Sequence, residues 1–301
     1  MNKLYLGIDI GGTNIKSIVL NEKGEILEQG ILPTQDSAED PGKWKQNIIG
    51  LIRDKTESFV KGDQERMRCA ISAPGLVNKK NNKIEFMPGR LSGLENYNWS
   101  EHLKREIYVI NDAHSACLAE YESYYKKEIK NMLLLTLGTG VGGAAILEGK
   151  LYQGTIQRAG HFGHITVDHN GIKTMTNMPG SLEHAIGNFS VKERTHGHFN
   201  STRELVGAFN AGDPLASYWW LTSVQKLSVG LASLINAFSP ELIVLGGGIT
   251  DADEALFKPL KGFMSLYEWL PGGHTTEIKK ARYGSFSGAV GAAYFAKQKT
   301  N

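Results

Sequence analysis

Short apolar runs open the chain: Leu4 to Ile10, Ile15 to Leu20 and Glu25 to Leu32 each read as a strand. Gly11-Gly12-Thr13-Asn14 joins the first two and Asn21-Glu22-Lys23-Gly24 the next two, which predicts an antiparallel meander. A helix follows from about Pro41 to Val60, then a strand over Met67 to Ile71 that runs into the turn Ser72-Ala73-Pro74-Gly75. Tyr108-Val109-Ile110 reads as a short buried strand and Asp112 to Tyr124 as a helix with Ala, Leu and Tyr on one face.

The opening pattern then recurs. Residues 132 to 137 (MLLLTL) form a strand, Gly138-Thr139-Gly140 a turn, Val141 to Leu147 a second strand, Glu148-Gly149-Lys150 a hairpin turn and Leu151 to Gln153 a third. Two copies are too few for a solenoid, which needs at least three, so the repeat predicts a duplicated domain with its boundary near residue 112. After a polar stretch from 160 to 200, helices are expected at about 181 to 188, 201 to 210 and 214 to 238, the last behind an Asp213-Pro214 cap. Glu241 to Leu245 is a buried strand ending in Gly246-Gly247-Gly248, followed by helices near 253 to 267 and from Gly288 to Lys297.

Composition narrows the class. The 301 residues are 41% hydrophobic and 21% charged, which excludes disorder, and 33 Lys and Arg against 31 Asp and Glu give no bulk charge to attract nucleic acid or an acidic membrane. Two cysteines, Cys69 and Cys117, are too few for a disulfide framework or a CxxC metal site and fit a reducing cytoplasm. No run resembles a signal-peptide core or reaches membrane-spanning length, so a soluble cytoplasmic protein is expected. Glycine is in excess at 35 residues, and nine of these fall at 11, 12, 138, 140, 142, 143, 246, 247 and 248.

A strand that ends in Gly-Gly-Thr or Gly-Thr-Gly gathers backbone N–H groups in one concavity that phosphate oxygens can approach. Thr13 and Thr139 add hydroxyl donors, and two matched turns plus a triple glycine suggest a nucleotide held between two domains. Asp9, directly before the first turn, is either an ordinary turn carboxylate or one that orients Mg2+ through water, and the adjacent GGT favours the second. Asp112 follows Asn111 at a strand-to-helix turn, where it is either a helix N-cap or a general base that accepts a proton from a substrate hydroxyl. The residues leave those two readings open.

With these residues in view the chain resembles the ROK family of sugar kinases and related repressors, within the actin-like ATPase superfamily. DIGGTNIK at 9 to 16 is similar to the first phosphate motif and LGTGVGGA at 137 to 144 to the second. VINDAHSACLAE at 109 to 120 resembles the catalytic segment, LIVLGGGI at 242 to 249 the adenosine motif and SGAVGAAYFA at 287 to 296 the C-terminal helix. The resemblance implies an α/β chain of two ribonuclease H-like, actin-like domains around a central cleft. They would be 1–112, completed by the helix at 287–301, and 113–286.

It also implies an ATP-dependent hexose kinase, glucokinase-like or acting on N-acylhexosamines, that transfers the γ-phosphoryl group to a sugar hydroxyl, expected at the 6-position. Asp112 would be the base, Asp9 would support Mg2+, Gly11, Gly12, Thr13, Gly138, Thr139 and Gly140 would cradle phosphates, and Gly246, Gly247 and Gly248 would flank adenosine. Gly75, Asn96, Asn111, Asp112, His164 and Glu183 would meet the sugar. A homodimer or higher homo-oligomer is expected. Family repressors carry an N-terminal helix-turn-helix, for which a phosphate motif starting at residue 9 leaves no room.

Two departures stand out. Family kinases have ExGH near the sugar, where this chain reads Ala159-Gly160-His161-Phe162-Gly163-His164, so His161 replaces a carboxylate that offers paired acceptors. The swap is either tolerated or a change of specificity. The family zinc site, CxCGxxGCxE with one His, is here GIKTMTNMPGSLE from Gly171 to Glu183, with Thr174, Thr176 and Ser181 in the cysteine positions. Hydroxyls are poor zinc ligands, so structural zinc is not expected. Six of nine histidines lie between 161 and 198, without the register or partners of a replacement metal site. The competing class is a sugar-binding or nucleotide-binding regulator of the same family that has no catalysis; the intact Asp9, Asn111 and Asp112 argue against it.

Overall fold

The computed structural model describes residues 3–299 apart from 37–39, 41, 88–90 and 175. Pro41, where the pattern starts its first helix, Met175 in the segment aligned with the family zinc site and residues 300–301 of the expected terminal segment lie outside the described residues. The chain begins β1 (Leu4–Ile10), β2 (Asn14–Leu20), β3 (Ile26–Pro33), α1 (Lys43–Val60), β4 (Met67–Ala73), β5 (Leu76–Val77) and β6 (Ile84–Phe86). It continues α2 (Trp99–Leu103), β7 (Ile107–Asn111), α3 (Asp112–Glu120), β8 (Met132–Leu137), β9 (Val141–Leu147), β10 (Lys150–Tyr152), α4 (Leu182–Ile186), α5 (Val191–Arg194) and α6 (Thr202–Asn210). Last come α7 (Pro214–Phe238), β11 (Leu242–Gly246), α8 (Glu254–Tyr267), β12 (Glu277–Lys280) and α9 (Ser287–Gln298).

These elements form two compact units. The first takes Met1–Glu128, Leu151–Ala159 and Arg282–Asn301; the second takes Ile129–Lys150 and Gly160–Ala281. Residues 113–128 therefore belong with the first unit, beyond the residue-112 boundary that the repeat suggested. Their helix α3 is held there by α9. Ser115 Oγ donates to Gly288 O at 2.7 Å, and at Gly291 a Cβ would overlap the Ser115 carbonyl, so the two helices touch backbone to backbone.

Each unit has a five-stranded mixed sheet, in the order β3-β2-β1-β4-β7 in one and β10-β9-β8-β11-β12 in the other. In both, the first strand pairs antiparallel with the second and parallel with the strand on its other side. The repeat read from the Gly-Thr turns is thus a repeat of topology. One core is built from β1, β4 and α1 side chains such as Leu6, Ile8, Ile48 and Ile71, with Trp44 packed edge-on to Trp99. The other centres on Leu133, Leu135, Trp220, Leu227 and Ile243. Both central strands are apolar on each face, as parallel strands covered by helices must be.

The short elements β5, β6, α2 and α5 have no counterpart in the sequence pattern, and two further elements depart from it. The helix expected to Tyr124 is α-helical only to Glu120 and continues as a π-helical turn, Tyr121–Tyr125. The edge strand β12, EIKK, was not foreseen because half of it is exposed and it carries no apolar alternation. Among the described residues no helix is long and apolar enough to cross a membrane.

Candidate active site

In the first unit the candidate residues collect at the C-terminal ends of adjacent parallel strands, where open α/β sheets bind ligands. Asp9 on β1 lies in register with Ser72 on β4, and Ser72 Oγ donates to Asp9 Oδ1 at 2.7 Å. Burial raises the Asp9 pKa, with the Ser72 hydrogen bond and Lys16 opposing it. Gly288, at the start of α9, lets that helix reach the carboxylate, because a Cβ there would overlap Asp9 Cγ. One strand further, Ala73 is in register with Asn111 at the end of β7.

At the start of α3 the structure gives the cap to Asn111 rather than to Asp112. Asn111 Oδ1 accepts from Ala113 N at 2.9 Å and His114 N at 3.2 Å, which makes Asn111 the N-cap of α3. Its Nδ2 donates to Gly75 O at 3.1 Å and so ties the 72–75 turn to the helix start. Asp112 Oδ1 accepts only locally, from Ala113 N at 2.8 Å. The Asp112 side chain keeps contact with solvent, yet protein atoms crowd it; this desolvation, then the Asp9 carboxylate, push its pKa up to about 6. Gly75 adopts φ 103°, a left-handed conformation that favours glycine, and a Cβ there would crowd Met87 and Phe86.

The turn at Gly11, Gly12 and Thr13 is closed by Gly11 N donating to Asn14 O at 3.0 Å and braced by Thr34 Oγ1 donating to Gly11 O at 2.7 Å. Gly12 and Thr13 face solvent. Asn96 lies on an exposed loop, with its N–H on Ile84 O and its Oδ1 accepting from Lys83 Nζ at 2.9 Å.

The second unit gathers the remaining candidates. Asn188 N donates to Gly138 O and Phe189 N to Thr139 O, at 2.9 and 3.0 Å, so the Gly138-Thr139-Gly140 turn is fastened just past α4. Glu183 in α4 lies against Gly140, where a Cβ would come within 3.0 Å of Glu183 Oε2. His164 Nδ1 is 3.4 Å from Glu183 Oε1, and that carboxylate raises the His164 pKa. His161 precedes the 3-10 turn Phe162–His164, its ring parallel to that of His164 with centroids 6.1 Å apart. His161, His164, Glu183 and the second glycine turn thus form one group.

In the segment aligned with the family zinc site, Thr174 N donates to Met178 O and Gly180 N to Ile172 O. Thr174 and Thr176 pair hydroxyl to hydroxyl at 3.0 Å, and Ser181 caps α4. Asp168, just before the hairpin, is bound to Lys226 of α7 at 2.9 Å. Among the described residues no three His, Cys, Asp or Glu side chains gather as metal ligands.

A cavity of about 580 Å³ opens beside the Gly138-Thr139 turn. It brings that turn together with Gly248, at the end of the triple glycine, and one face of α6. Asn188, Arg203 and Asn210 also line it, and sequence reasoning missed all three because they belong to no motif.

Known proteins of one family resemble this chain along nearly its whole length. The ROK family model matches residues 5–299. An N-acetyl-D-glucosamine kinase of Haemophilus influenzae is 30% identical, over 96% of this chain and 98% of that protein. A ROK hexokinase of Thermus thermophilus superposes with a TM-score of 0.85 at 28% identity, covering 99% of each chain. A ROK glucokinase of Streptomyces griseus, solved with glucose and AMPPNP, gives 0.77 at 25% identity over 98% of this chain and 99% of its own. The two matched sheets are those of the actin-like ATPase two-domain fold, and the chain belongs to the ROK family.

Proposed function

We propose that this chain is an ATP-dependent hexose kinase, glucokinase-like or directed to an N-acylhexosamine. It would transfer the γ-phosphoryl group of ATP to a sugar hydroxyl, the 6-hydroxyl by family precedent. The observation that carries the reading is the division of labour at the start of α3: Asn111 caps the helix, and the Asp112 carboxylate is left with a pKa near 6. Such a carboxylate is ionised at neutral pH yet basic enough to take the hydroxyl proton as the oxygen attacks the γ-phosphorus.

The other candidate residues would serve that step. The turns at 11–13 and 138–140 would hold phosphate oxygens on backbone N–H groups, and Gly246–Gly248 would border the adenosine. His164 and Glu183 would hold sugar hydroxyls, with His161 in place of the family carboxylate, and Asn111 and the Gly75 backbone would also contact the sugar. Asp9 fits Mg2+ through water, since a hard carboxylate oxygen beside a glycine turn is the donor such an ion takes. Bound there, Mg2+ would neutralise phosphate charge. Asn96, occupied by Lys83, has the least support as a sugar contact.

The test is Asp112→Asn, assayed for ADP release with Mg-ATP over a panel of free hexoses and N-acetylhexosamines. A fall in kcat of about 10²- to 10⁴-fold with sugar binding kept is expected. Unchanged turnover would overturn the role of Asp112. Sugar binding by the wild type without ADP release on any sugar would overturn the kinase itself.

A further inference from the structure

We infer that the end of α8 and the groove beside it form a self-complementary docking face whose partner is a second copy of this chain. The inference stands independently of the kinase reading. It starts from the run Leu266-Tyr267-Glu268-Trp269-Leu270, in which four of five side chains are large and apolar. A helix end in water has no use for such a run, yet Leu266 is 75% exposed and Trp269 71%, with Tyr267 and Leu270 also exposed. Together they show solvent roughly 500 Å² of side chain, towards the top of the range for the largest apolar patch on a typical monomer.

The run is fastened in place. Gln225 Nε2 of α7 donates to Tyr267 OH at 2.7 Å, and Glu268 Oε1 accepts from Thr276 N at 2.8 Å, which ties down the loop after Trp269. A groove of about 470 Å³ opens beside it, between α8 and the segment that runs into β12, with Phe257, Leu260, Met264, Leu270 and Ile278 as apolar walls. That is ample for one side chain, since whole small-molecule sites start at roughly 300 Å³. β12 is the outermost strand of its sheet, so among the described residues no further strand closes that side.

Three features select a second copy as the occupant. A projecting indole next to an apolar groove is complementary to itself, because a two-fold axis sends each Trp269 towards the other copy's groove, the isologous arrangement of most dimers. The charges balance as well: the groove carries Lys261 and Glu268, while Glu277 is neutralised by Lys279 at 2.8 Å. Lys261 of one copy can then pair with Glu268 of the other, whereas a face without net charge gives an acidic membrane or a nucleic acid nothing to hold. Finally, the four side chains of two copies bring together roughly 1,000 Å², the size that a specific interface has to reach. Tryptophan is also among the residues that most often anchor such contacts.

Sedimentation velocity of the full chain between about 1 and 100 µM tests this. The wild type is expected to be a dimer. Trp269→Glu and Leu266→Glu are each expected to weaken it by roughly 10²- to 10³-fold, because two-fold symmetry removes the anchor twice. Tm should stay within about 2 °C of wild type, since both side chains lie in solvent. Trp269→Ala takes the place of either variant if it does not fold. Ile31→Glu, on the exposed edge strand of the first unit, should leave the dimer intact. A wild-type tetramer that the α8 substitutions cut to dimers would support the inference equally. Wild-type protein that stays monomeric at the highest concentration would overturn it, as would an assembly that persists in the folded α8 variants or one that only Ile31→Glu breaks. Monomeric wild type that floats with phosphatidylcholine–phosphatidylglycerol vesicles would assign the patch to a membrane and overturn it too.

Discussion

Asn111 and Asp112 are neighbours with different commitments, one holding three backbone groups and the other accepting from the N–H of the next residue. From sequence the two are interchangeable as caps, and only the positions of Ala113 N and His114 N show which side chain took the role. Asp112 has a pH signature. Its carboxyl has a folded pKa of about 6 against an ordinary 3.8, so protonation favours the fold. The carboxyl contributes its full stability below pH 3.8 and loses it as pH rises through 6. Asp112→Asn, which keeps the acceptor for Ala113 N, should therefore melt higher than wild type above pH 6, with the difference closing towards pH 3.8; thermal melts over that range check it. Catalysis runs the other way: kcat/KM should fall as pH drops through about 6 in wild type, because the base is then protonated. A flat profile from pH 5 to 8 would remove Asp112 as the base.

Among the elements, α9 shows how a glycine-rich helix reads in sequence as a motif and in structure as a close fit. SGAVGAAYFA resembles the family's terminal helix, but its physical purpose is visible only where Gly291 meets the Ser115 carbonyl. Gly291→Val should cost about 3 kcal/mol or more, since the clash is with backbone on both sides, and a urea melt would show it as a lower midpoint. Buried, apolar or capped elements were legible: β1, β8 and β11 as apolar runs, α7 from Asp213-Pro214. Elements set by long-range pairing were not. The strand β12 exists because β11 offers it a parallel edge, and the π-helical turn after Glu120 has no local composition signal. The cavity wall on α6 was missed for a related reason, since its residues gain meaning only beside the Gly138 and Gly248 turns.

At the scale of the whole molecule, the duplication seen in two Gly-Thr turns proved to be the shared strand order of two sheets. The turns mark the same position in each sheet, between the first strand and its antiparallel neighbour, so the proposed phosphate chemistry and the architecture share one signal. The group proposed to meet the sugar has no such signal. His161, His164 and Glu183 are assembled by a 3-10 turn and a short helix that carry no repeat, which is why the resemblance named them and periodicity could not. The chain's path between units also has a consequence in time. The first unit is begun by β1 but needs α9, the last helix in the chain, whereas every residue of the second unit has been made by Ala281. During synthesis the second unit can close while the first still waits, its β1 and α3 surfaces bare for the second or more that the remaining residues take at ~5–20 residues per second. Chains halted at Ala281 should resist protease across β8, β9 and β11 and be cut in β1 and α3. That interval is where a chaperone would find this protein.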